Sequence, residues 1–246
     1  MPMPSDIPLL LLHGFPLDAR MWRHTIAHFG SKRPVIAPNA ADLVATGPTM
    51  AEMAEAALKA LDAVAPGQPA VVVGLSMGGY LAAEFARAYP ERIAGLVMCD
   101  TRAGAEPPEG RAGRDAMIDA TRRHGVTHGT APLLARMLHD PTRALMAEVQ
   151  SIVDDQDPEV VIACIEAMRD RRDNMHTMRT LTVPFVVIAG EYDTLAPRLV
   201  EEALARLNPQ GYFVEIPHSG HVPPLENPAA FNTALEAFLK AMSDER

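Results

Sequence analysis

The chain has 246 residues, of which 48% are hydrophobic, and this size suits one large domain with a substantial core. Its 22 lysines and arginines are outnumbered by 31 aspartates and glutamates, which gives a net charge of −9 without any basic run. Such a charge argues against nucleic acid or an anionic membrane as a partner. We therefore expect a small-molecule partner, and the sequence does not predict an oligomeric state.

The cysteines and the start of the chain bear on the compartment. Cys99 and Cys164 lie far apart in apolar surroundings, so both are predicted to be free, buried thiols of a reducing compartment. The opening MPMPSDIP lacks the basic region and cleavage site of a signal peptide, and no apolar run approaches the roughly 20 residues of a spanning helix. We therefore expect a soluble cytoplasmic protein.

Short runs rich in valine, isoleucine and leucine recur along the chain. In order they are IPLLLLHG, RPVIAPN, AVVVGL, IAGLVMCD, PFVVIAG and YFVEIP. They are continuous rather than alternating, which is typical of parallel strands buried on both faces. Helical spacing is found between them, at residues 49–64, 77–89, 197–207 and 227–241. This alternation predicts a doubly wound, mostly parallel α/β sheet.

Residues 103–182 interrupt the alternation with several amphipathic helical pieces and no strand-like run. The turn signals EPPEG, HGVTHG, HDPT and DQDP separate these pieces, and in the last one Asp157 is expected to cap a helix that begins at Pro158. We predict a helical cap at 103–182, inserted into a core formed by 1–102 and 183–246. The cap residues expected to line an apolar pocket are Leu133, Leu134, Met137, Leu138, Leu145 and Met146.

The stretch VVVGLSMGGYLAAEF places Ser76 between Gly74 and Gly78, where a predicted strand changes directly into a predicted helix. A serine there occupies a sharp turn that raises its hydroxyl at the carboxyl edge of the sheet, and the glycines let neighbouring backbone pass close by. The helix start would point N–H groups at any negative charge that develops. We predict that Ser76 is a nucleophile; the alternative, a glycine-rich turn with an inert serine, fits this context less well.

A serine nucleophile needs a base and a residue that orients the base. His221, in HSGHVPPLENPAAF, follows the last predicted strand, and Asp193, in VVIAGEYDTLAP, follows the strand before it. Both residues therefore fall at the same sheet edge as Ser76. We predict that His221 is the base and that Asp193 orients it.

Three other residues compete for these roles. His218 could replace His221, but it lies nearer the strand end, where structural histidines are more common. Asp100, in LVMCDT, could supply the acid from the preceding strand, although the loop of Asp193 adjoins that of the histidine. His13 could also be a base, but a hydrogen bond that braces its own loop is the better interpretation.

An oxyanion hole requires two backbone donors near the nucleophile. We expect these to be the N–H groups of Met77, directly after the serine, and of Phe15, in the loop LLHGFPLD after the first strand. The sequence lacks a zinc-protease histidine pair, a paired-cysteine motif, a phosphate loop and a dinucleotide fingerprint. No metal and no cofactor are predicted.

The segments HGFPLD, GLSMGG, YPERIAGLVMCDT, GEYDTLAP and SGHVPPLENP together resemble the capped α/β-hydrolase superfamily, and within it small carboxylesterases and enol-lactonases. The chain order of serine, acid and histidine is also that of the superfamily. The resemblance covers most of 7–102 and 183–242. It implies that an ester or a thioester acylates the serine and that water then releases the acid. A serine at position 76, rather than an aspartate, disfavours the related haloalkane dehalogenases and epoxide hydrolases.

Two features depart from the family pattern. The family usually begins with two further strands, so here we expect about six strands, with the first two family strands missing and RPVIAPN at a bare edge. The loop PNAADLVATGPTM replaces a stretch that commonly borders the pocket in the family. This second departure leaves the substrate class open.

We therefore expect a serine hydrolase that cleaves small carboxylic esters through an acyl-enzyme intermediate. The alternatives within this chemistry are an enol-lactonase or a C–C bond hydrolase of aromatic degradation. From another class, the chain could be a non-catalytic receptor for a small ligand on the same fold. An intact serine, histidine and acid disfavour the receptor.

Overall fold

A computed structural model describes residues 7–244, so most of the opening segment MPMPSDIP lies outside the described residues. Within this range the chain forms a single sheet of six strands in the order β2-β1-β3-β4-β5-β6, and each neighbouring pair is parallel. The prediction of a doubly wound parallel sheet of six strands is confirmed. The strands are β1 (Leu9–Leu12), β2 (Val35–Ile36), β3 (Ala70–Leu75), β4 (Ile93–Cys99), β5 (Phe185–Gly190) and β6 (Gly211–Ile216).

Helices connect and cover the strands. The described residues contain α1 (Arg23–Phe29), α2 (Ala40–Val44), α3 (Met50–Val64), α4 (Met77–Ala88), α5 (Pro108–His124), α6 (Val126–Leu134), α7 (Arg143–Asp154), α8 (Pro158–Arg169), α9 (Met175–Thr180), α10 (Arg198–Leu207), α11 (Pro223–Glu226) and α12 (Pro228–Asp244), with short 3₁₀ helices at Ala19–Trp22 and Pro90–Arg92. The four helices predicted from apolar spacing correspond to α3, α4, α10 and α12.

The interior of the sheet is formed by continuous apolar strands. Every residue of β1, β3, β4 and β5 is buried, which explains why these segments show no alternation of polar and apolar residues. The register pairs Leu12 with Gly74 and Leu75 with Cys99, so the carboxyl ends of neighbouring strands lie side by side. The loops that follow these strands therefore meet at one edge, where ligands bind in open α/β sheets.

The edge strand β2 is only two residues long and pairs with β1 through Val35 and Ile36. This is the segment expected at the bare edge of the sheet. Lysine, arginine and proline flank it at positions 32–34, and a second proline follows at position 38. Charges and prolines at an exposed edge oppose pairing with the strand of another molecule.

Five helices, α5 to α9, occupy the segment 103–182 between β4 and β5. Asp157 caps α8 as predicted, because its side chain accepts from the N–H groups of Glu159 and Val160. The turn expected at HGVTHG is limited to one residue. Gly125, with a φ of 83°, separates α5 from α6, and its freedom at positive φ makes a longer loop unnecessary.

Two further expectations concern cysteine chemistry and membranes. Cys99 and Cys164 are both free and buried, as predicted. Among the helices of residues 7–244, none combines the length and apolar character needed to cross a membrane.

Candidate active site

Ser76 lies at the junction between β3 and α4. Its backbone has a φ of 53° and a ψ of −112°, a conformation that is rare for residues with a side chain, and α4 begins at the next residue, Met77. The Ser76 N–H donates to the carbonyl of Cys99 at 2.9 Å, which fixes the turn to the end of β4. The strained conformation directs the chain sharply from the strand into the helix.

Glycine is required on both sides of this turn. A Cβ atom added to Gly74 would lie 2.1 Å from the carbonyl oxygen of Gly78, and one added to Gly78 would lie 2.0 Å from that of Leu12. Both distances are far below van der Waals contact. The two glycines therefore allow the backbone segments around Ser76 to approach each other, as their sequence positions predict.

His221 and Asp193 form a buried pair on the loops after β6 and β5. His221 Nδ1 lies 2.8 Å from Asp193 Oδ2, and the side chains are 5% and 1% exposed. Asp193 also accepts from the N–H groups of Leu195 at 2.7 Å and Ala196 at 3.2 Å. Burial alone would raise the pKa of Asp193, but these hydrogen bonds outweigh it and lower the pKa below its usual value. Asp193 is therefore an ionised acceptor, and His221 Nδ1 carries the proton between them.

Ser76 and His221 line the same cavity, which has a volume of about 130 Å³. Phe15 also lines it, and Met77 is buried next to the serine as the first residue of α4. The loop before Phe15 contacts the turn closely, since a Cβ on Gly14 would lie 3.6 Å from the Cβ of Ser76. The structure thus brings the five residues singled out in the sequence to one region of the sheet edge.

The competing histidines do not line this cavity. His13 is 1% exposed, and its Nδ1 lies 3.1 Å from the carbonyl oxygen of Gly14, to which it donates. Burial lowers the pKa of His13, which favours the neutral ring. His218 is exposed, and its backbone N–H donates to Glu191 at 3.0 Å. Both contacts support structural roles in the loops.

Asp100 is buried in the cavity wall close to the histidine pair. One polar atom each of Asp100, Asp193 and His221 lies within 4.8 Å of the others, so within residues 7–244 this is the group that could hold a metal ion. His221 Nδ1 is already engaged by Asp193, which leaves a poor ligand set. Asp100 Oδ1 accepts from the N–H of Gly190 at 2.8 Å, and Oδ2 has no hydrogen-bond partner among the described residues. Burial, Glu201 and Asp193 raise the pKa of Asp100 well above its usual value.

Two residues that sequence reasoning did not single out brace the serine turn. Thr101 donates its hydroxyl to the carbonyl of Ser76 at 2.7 Å, and its N–H donates to Glu201 Oε1 at 3.0 Å. Glu201 is fully buried, and burial raises its pKa to about 9. In the sequence it belongs to RLVEEALARL, where a glutamate is indistinguishable from the usual solvent-facing residue of an amphipathic helix.

A third missed residue, Glu226, holds the histidine loop. Its carboxylate accepts from the N–H groups of His139 at 2.7 Å, Gly220 at 2.9 Å and Val222 at 2.9 Å. His221 itself donates its backbone N–H to the carbonyl of Met137 at 2.8 Å. The loop is therefore tied to the helical segment 103–182 on both sides of the histidine. The signal available in the sequence was a glutamate within HVPPLENP, four residues after Val222.

The cavity wall is more polar than the sequence predicted. Of the six apolar residues expected there, Leu133 lines the cavity, whereas Met146 is 48% exposed on the surface. The wall also contains Arg102, Glu106 and Arg114. The expectation of an apolar pocket was therefore wrong. The reason is that α5, which carries Arg114, begins at Pro108, inside the predicted turn EPPEG.

Known proteins resemble this chain over nearly its whole length. A pimeloyl-[acyl-carrier protein] methyl ester esterase from Yersinia enterocolitica is 30% identical over 253 residues, covering 95% of this chain and 93% of that protein. A thermophilic esterase from Thermogutta terrifontis, solved with malate bound, is 32% identical with a TM-score of 0.91, covering 98% and 92% of the two chains. An enol-lactonase from Burkholderia xenovorans shares the fold at 22% identity, with a TM-score of 0.81 and coverage of 96% and 92%.

The family description that matches is "Alpha/beta hydrolase family", and the match extends over residues 9–234. It includes every strand of the sheet and the loops that carry Ser76, Asp193 and His221. The resemblance to the α/β-hydrolase superfamily and to its carboxylesterases inferred from short motifs is confirmed, and the enol-lactonase shares the fold. The chain belongs to the alpha/beta hydrolase family.

Proposed function

We propose that this protein is a serine hydrolase that cleaves small carboxylic esters through an acyl-enzyme intermediate. Ser76 is the nucleophile, His221 is the general base and then the general acid, and Asp193 orients the imidazole. The observation that carries the proposal is one cavity lined by both Ser76, in its strained turn, and His221. The Nδ1 atom of this histidine is bonded to the buried carboxylate of Asp193.

The first half of the reaction follows from the protonation of the pair. Because His221 Nδ1 donates to ionised Asp193, the lone pair at Nε2 is available to accept the hydroxyl proton of Ser76. The Ser76 oxygen then bonds to the ester carbonyl carbon, and the carbonyl oxygen gains negative charge. His221 next returns its proton to the leaving alkoxide, which departs as the alcohol and leaves an acyl-serine.

The N–H groups of Met77 and Phe15 are assigned as donors to the developing oxyanion. Met77 is the first residue of α4, so its N–H has no carbonyl one turn earlier in the helix to bond. The helix also directs the positive end of its dipole at this point. Removal of one such donor from an oxyanion hole typically lowers turnover by roughly a hundredfold or more.

In the second half of the reaction, water attacks the acyl-serine and Ser76 is the leaving group. His221 takes a proton from water, the hydroxide attacks the acyl carbon, and Ser76 leaves with the proton from His221. Asp193 stabilises the imidazolium in both halves. The residues 103–182 are proposed to act as the cap domain over a core of 1–102 and 183–246, since Leu133, Arg114 and Met168 of this segment line the cavity.

The relatives support an ester as the substrate. The two proteins at 30% and 32% identity are both named as esterases, whereas the enol-lactonase at 22% supports only the fold. We also propose the cytoplasm as the compartment, because both cysteines are free thiols.

A parallel screen of p-nitrophenyl esters and lactones tests the proposal. We expect turnover of short acyl esters by the wild-type chain and its loss in His221→Ala, with the exposed His176→Ala as a matched control that retains activity. Faster turnover of lactones than of all esters would reassign the substrate class. Binding of these compounds without turnover would identify a receptor and contradict the proposed reaction.

A further inference from the structure

The cavity that contains Ser76 holds positive charge that the proposed reaction does not use. Arg102 follows β4, Arg114 lies on α5, and both line the cavity, together with Glu106. The whole chain carries a net charge of −9. Because the protein as a whole is acidic, we ask whether these cavity arginines bind a negatively charged part of the substrate.

The cluster around Glu106 keeps one uncompensated positive charge. Glu106 Oε2 lies 3.0 Å from Arg114 Nε and 2.7 Å from Arg171 Nη1, so two guanidinium groups share one carboxylate. Burial alone would raise the pKa of Glu106, but the two arginines lower it, and the carboxylate stays ionised. Arg171 is further fixed by the ring of Tyr80, which lies 4.1 Å from its guanidinium carbon and also lines the cavity.

Arg102 adds a second positive charge without an acidic partner among the described residues. Its Nη2 donates to the carbonyl of Leu195 at 3.0 Å, and its Nε is buried with no hydrogen-bond partner in residues 7–244. Glu201 is the acid that interacts with the charge of Arg102, but burial raises its pKa to about 9, which weakens it as a counter-charge near neutral pH. A buried guanidinium nitrogen without a hydrogen-bond partner costs free energy in the folded chain, so Arg102 is held at the cavity at some cost to stability.

We propose that Arg102 and Arg114 bind a carboxylate of the substrate, so that the preferred substrates are small esters which carry a second, ionised carboxyl group. This inference rests on the proposed esterase function and adds the chemical class of the substrate. Guanidinium groups match the planar shape of a carboxylate and form strong, charge-assisted hydrogen bonds with it. Leu133 and Met168, which also line the cavity, supply apolar contacts for the short carbon chain that joins the two groups.

The alternative is that these arginines only stabilise the fold. Arg114 could serve simply as a partner of Glu106, and Arg102 as a brace for the loop of Leu195. The two interpretations differ in what substitution does to substrate choice. A structural role changes the turnover of charged and uncharged esters together, whereas a binding role changes their ratio.

The test compares each anionic ester with its uncharged amide isostere. Monomethyl glutarate and methyl 4-carbamoylbutanoate place the difference on the acyl side, and the acetate ester of 3-hydroxypropanoate and that of its amide place it on the alcohol side. We expect the wild-type chain to prefer the acid by about tenfold or more in kcat/KM in at least one pair. The pair that shows the preference identifies which side of the ester faces the arginines.

Substitutions then assign the preference to the arginines. Arg102→Met and Arg114→Met should each lower the acid-to-amide ratio, and Arg114→Lys should retain part of it because the charge remains. Arg123→Met is the matched control, since Arg123 lies on the same helix but its side chain is 70% exposed. Competitive inhibition by glutarate, but not by glutaramide, gives a second readout of anion binding.

The outcomes separate this inference from the proposed function. If the wild-type chain hydrolyses acid and amide equally in both pairs, or if both methionine variants keep the wild-type ratio, the anion site is refuted while the esterase stands. If no ester is hydrolysed at all, the proposed function fails. In that case inhibition by glutarate would not support the inference, because the inference concerns the substrates of an esterase.

Discussion

Asp193 and His221 are joined by a 2.8 Å hydrogen bond between Oδ2 and Nδ1, whereas Asp100, which lies in the same small region, bonds instead to the backbone of Gly190. The two aspartates also differ in charge. The pKa of Asp193 is lowered, while that of Asp100 is raised well above its usual value because burial and neighbouring acids disfavour its ionised form. Asp193 is therefore the ionised partner of the histidine, whereas the ionised form of Asp100 is disfavoured.

Exchange of each aspartate for asparagine separates these roles. Asp193→Asn should lower kcat by roughly ten-thousandfold, because an amide favours the wrong imidazole tautomer while it preserves the shape of the side chain. Asp100→Asn should have a far smaller effect, since Asp100 bonds to the backbone of Gly190 and not to His221. Steady-state kinetics on a p-nitrophenyl ester, with melting temperatures as a check on folding, measures both. A collapse of activity in Asp100→Asn alone would reverse the assignment.

The glycines around Ser76 give a prediction about stability. Gly74→Ala would place a methyl group 2.1 Å from a backbone oxygen, so we expect a loss of at least about 2 kcal/mol in the free energy of unfolding, together with lower activity. Gly113→Ala is the matched control. Its Cβ would meet nothing within 4 Å, and alanine in the interior of α5 should stabilise the helix by roughly 0.5–1 kcal/mol. Chemical denaturation measures both, and equal effects would contradict the geometry of the turn.

Glu201 gives a prediction about pH. Its folded pKa of about 9 lies above the ordinary value of 4.5, so the folded chain binds this proton more tightly than the unfolded chain. The resulting stability is fully present below about pH 4.5 and is lost as the pH rises through about 9, with a slope of at most about 1.4 kcal/mol per pH unit. Glu201→Gln keeps an acceptor for the N–H of Thr101 but does not titrate. We therefore expect it to flatten the decline in stability between about pH 4.5 and 9.

The neighbouring Glu202 is the control for that experiment. Hydrogen bonds from Arg198 and Arg206 lower the pKa of Glu202. The contribution of Glu202 to stability is therefore lost as the pH falls, and not as it rises. Glu202→Gln should leave the decline between about pH 4.5 and 9 in place. Denaturation curves across the pH range measure the slopes, and an unchanged slope between about pH 4.5 and 9 in Glu201→Gln would show that the group is already ionised in the folded chain.

The sheet could be predicted from the sequence because its signals are local. Continuous valine and leucine runs indicate strands buried on both faces, and residues that follow parallel strands must share one edge. That reasoning applies equally to Ser76, Asp193 and His221, whose loops need only strand order to be brought together. The glycine requirement at the turn also follows from the chain alone, since Gly74 and Gly78 flank the serine.

The charged residues in the cavity wall and the buried acid Glu201 could not be predicted in this way. Arg114 and Glu201 belong to helices whose outward and inward faces depend on where each helix begins and how it docks. A charged residue on an amphipathic helix is most often exposed, so no periodicity distinguishes the fully buried Glu201 from its neighbours. The partner of Glu106 is likewise set by tertiary packing, because Arg171 lies far from it in the sequence.

Covalent labelling with an organophosphonate is the most direct test of the central claim, that Ser76 is a nucleophile activated by His221. Peptide mass mapping should find the adduct on Ser76, and inactivation should parallel labelling. Ser76→Ala should escape labelling and lose about a millionfold in turnover, whereas Ser151→Ala, at an exposed position of α7, should behave as wild type. An adduct on another residue, or substantial turnover by Ser76→Ala, would contradict the account.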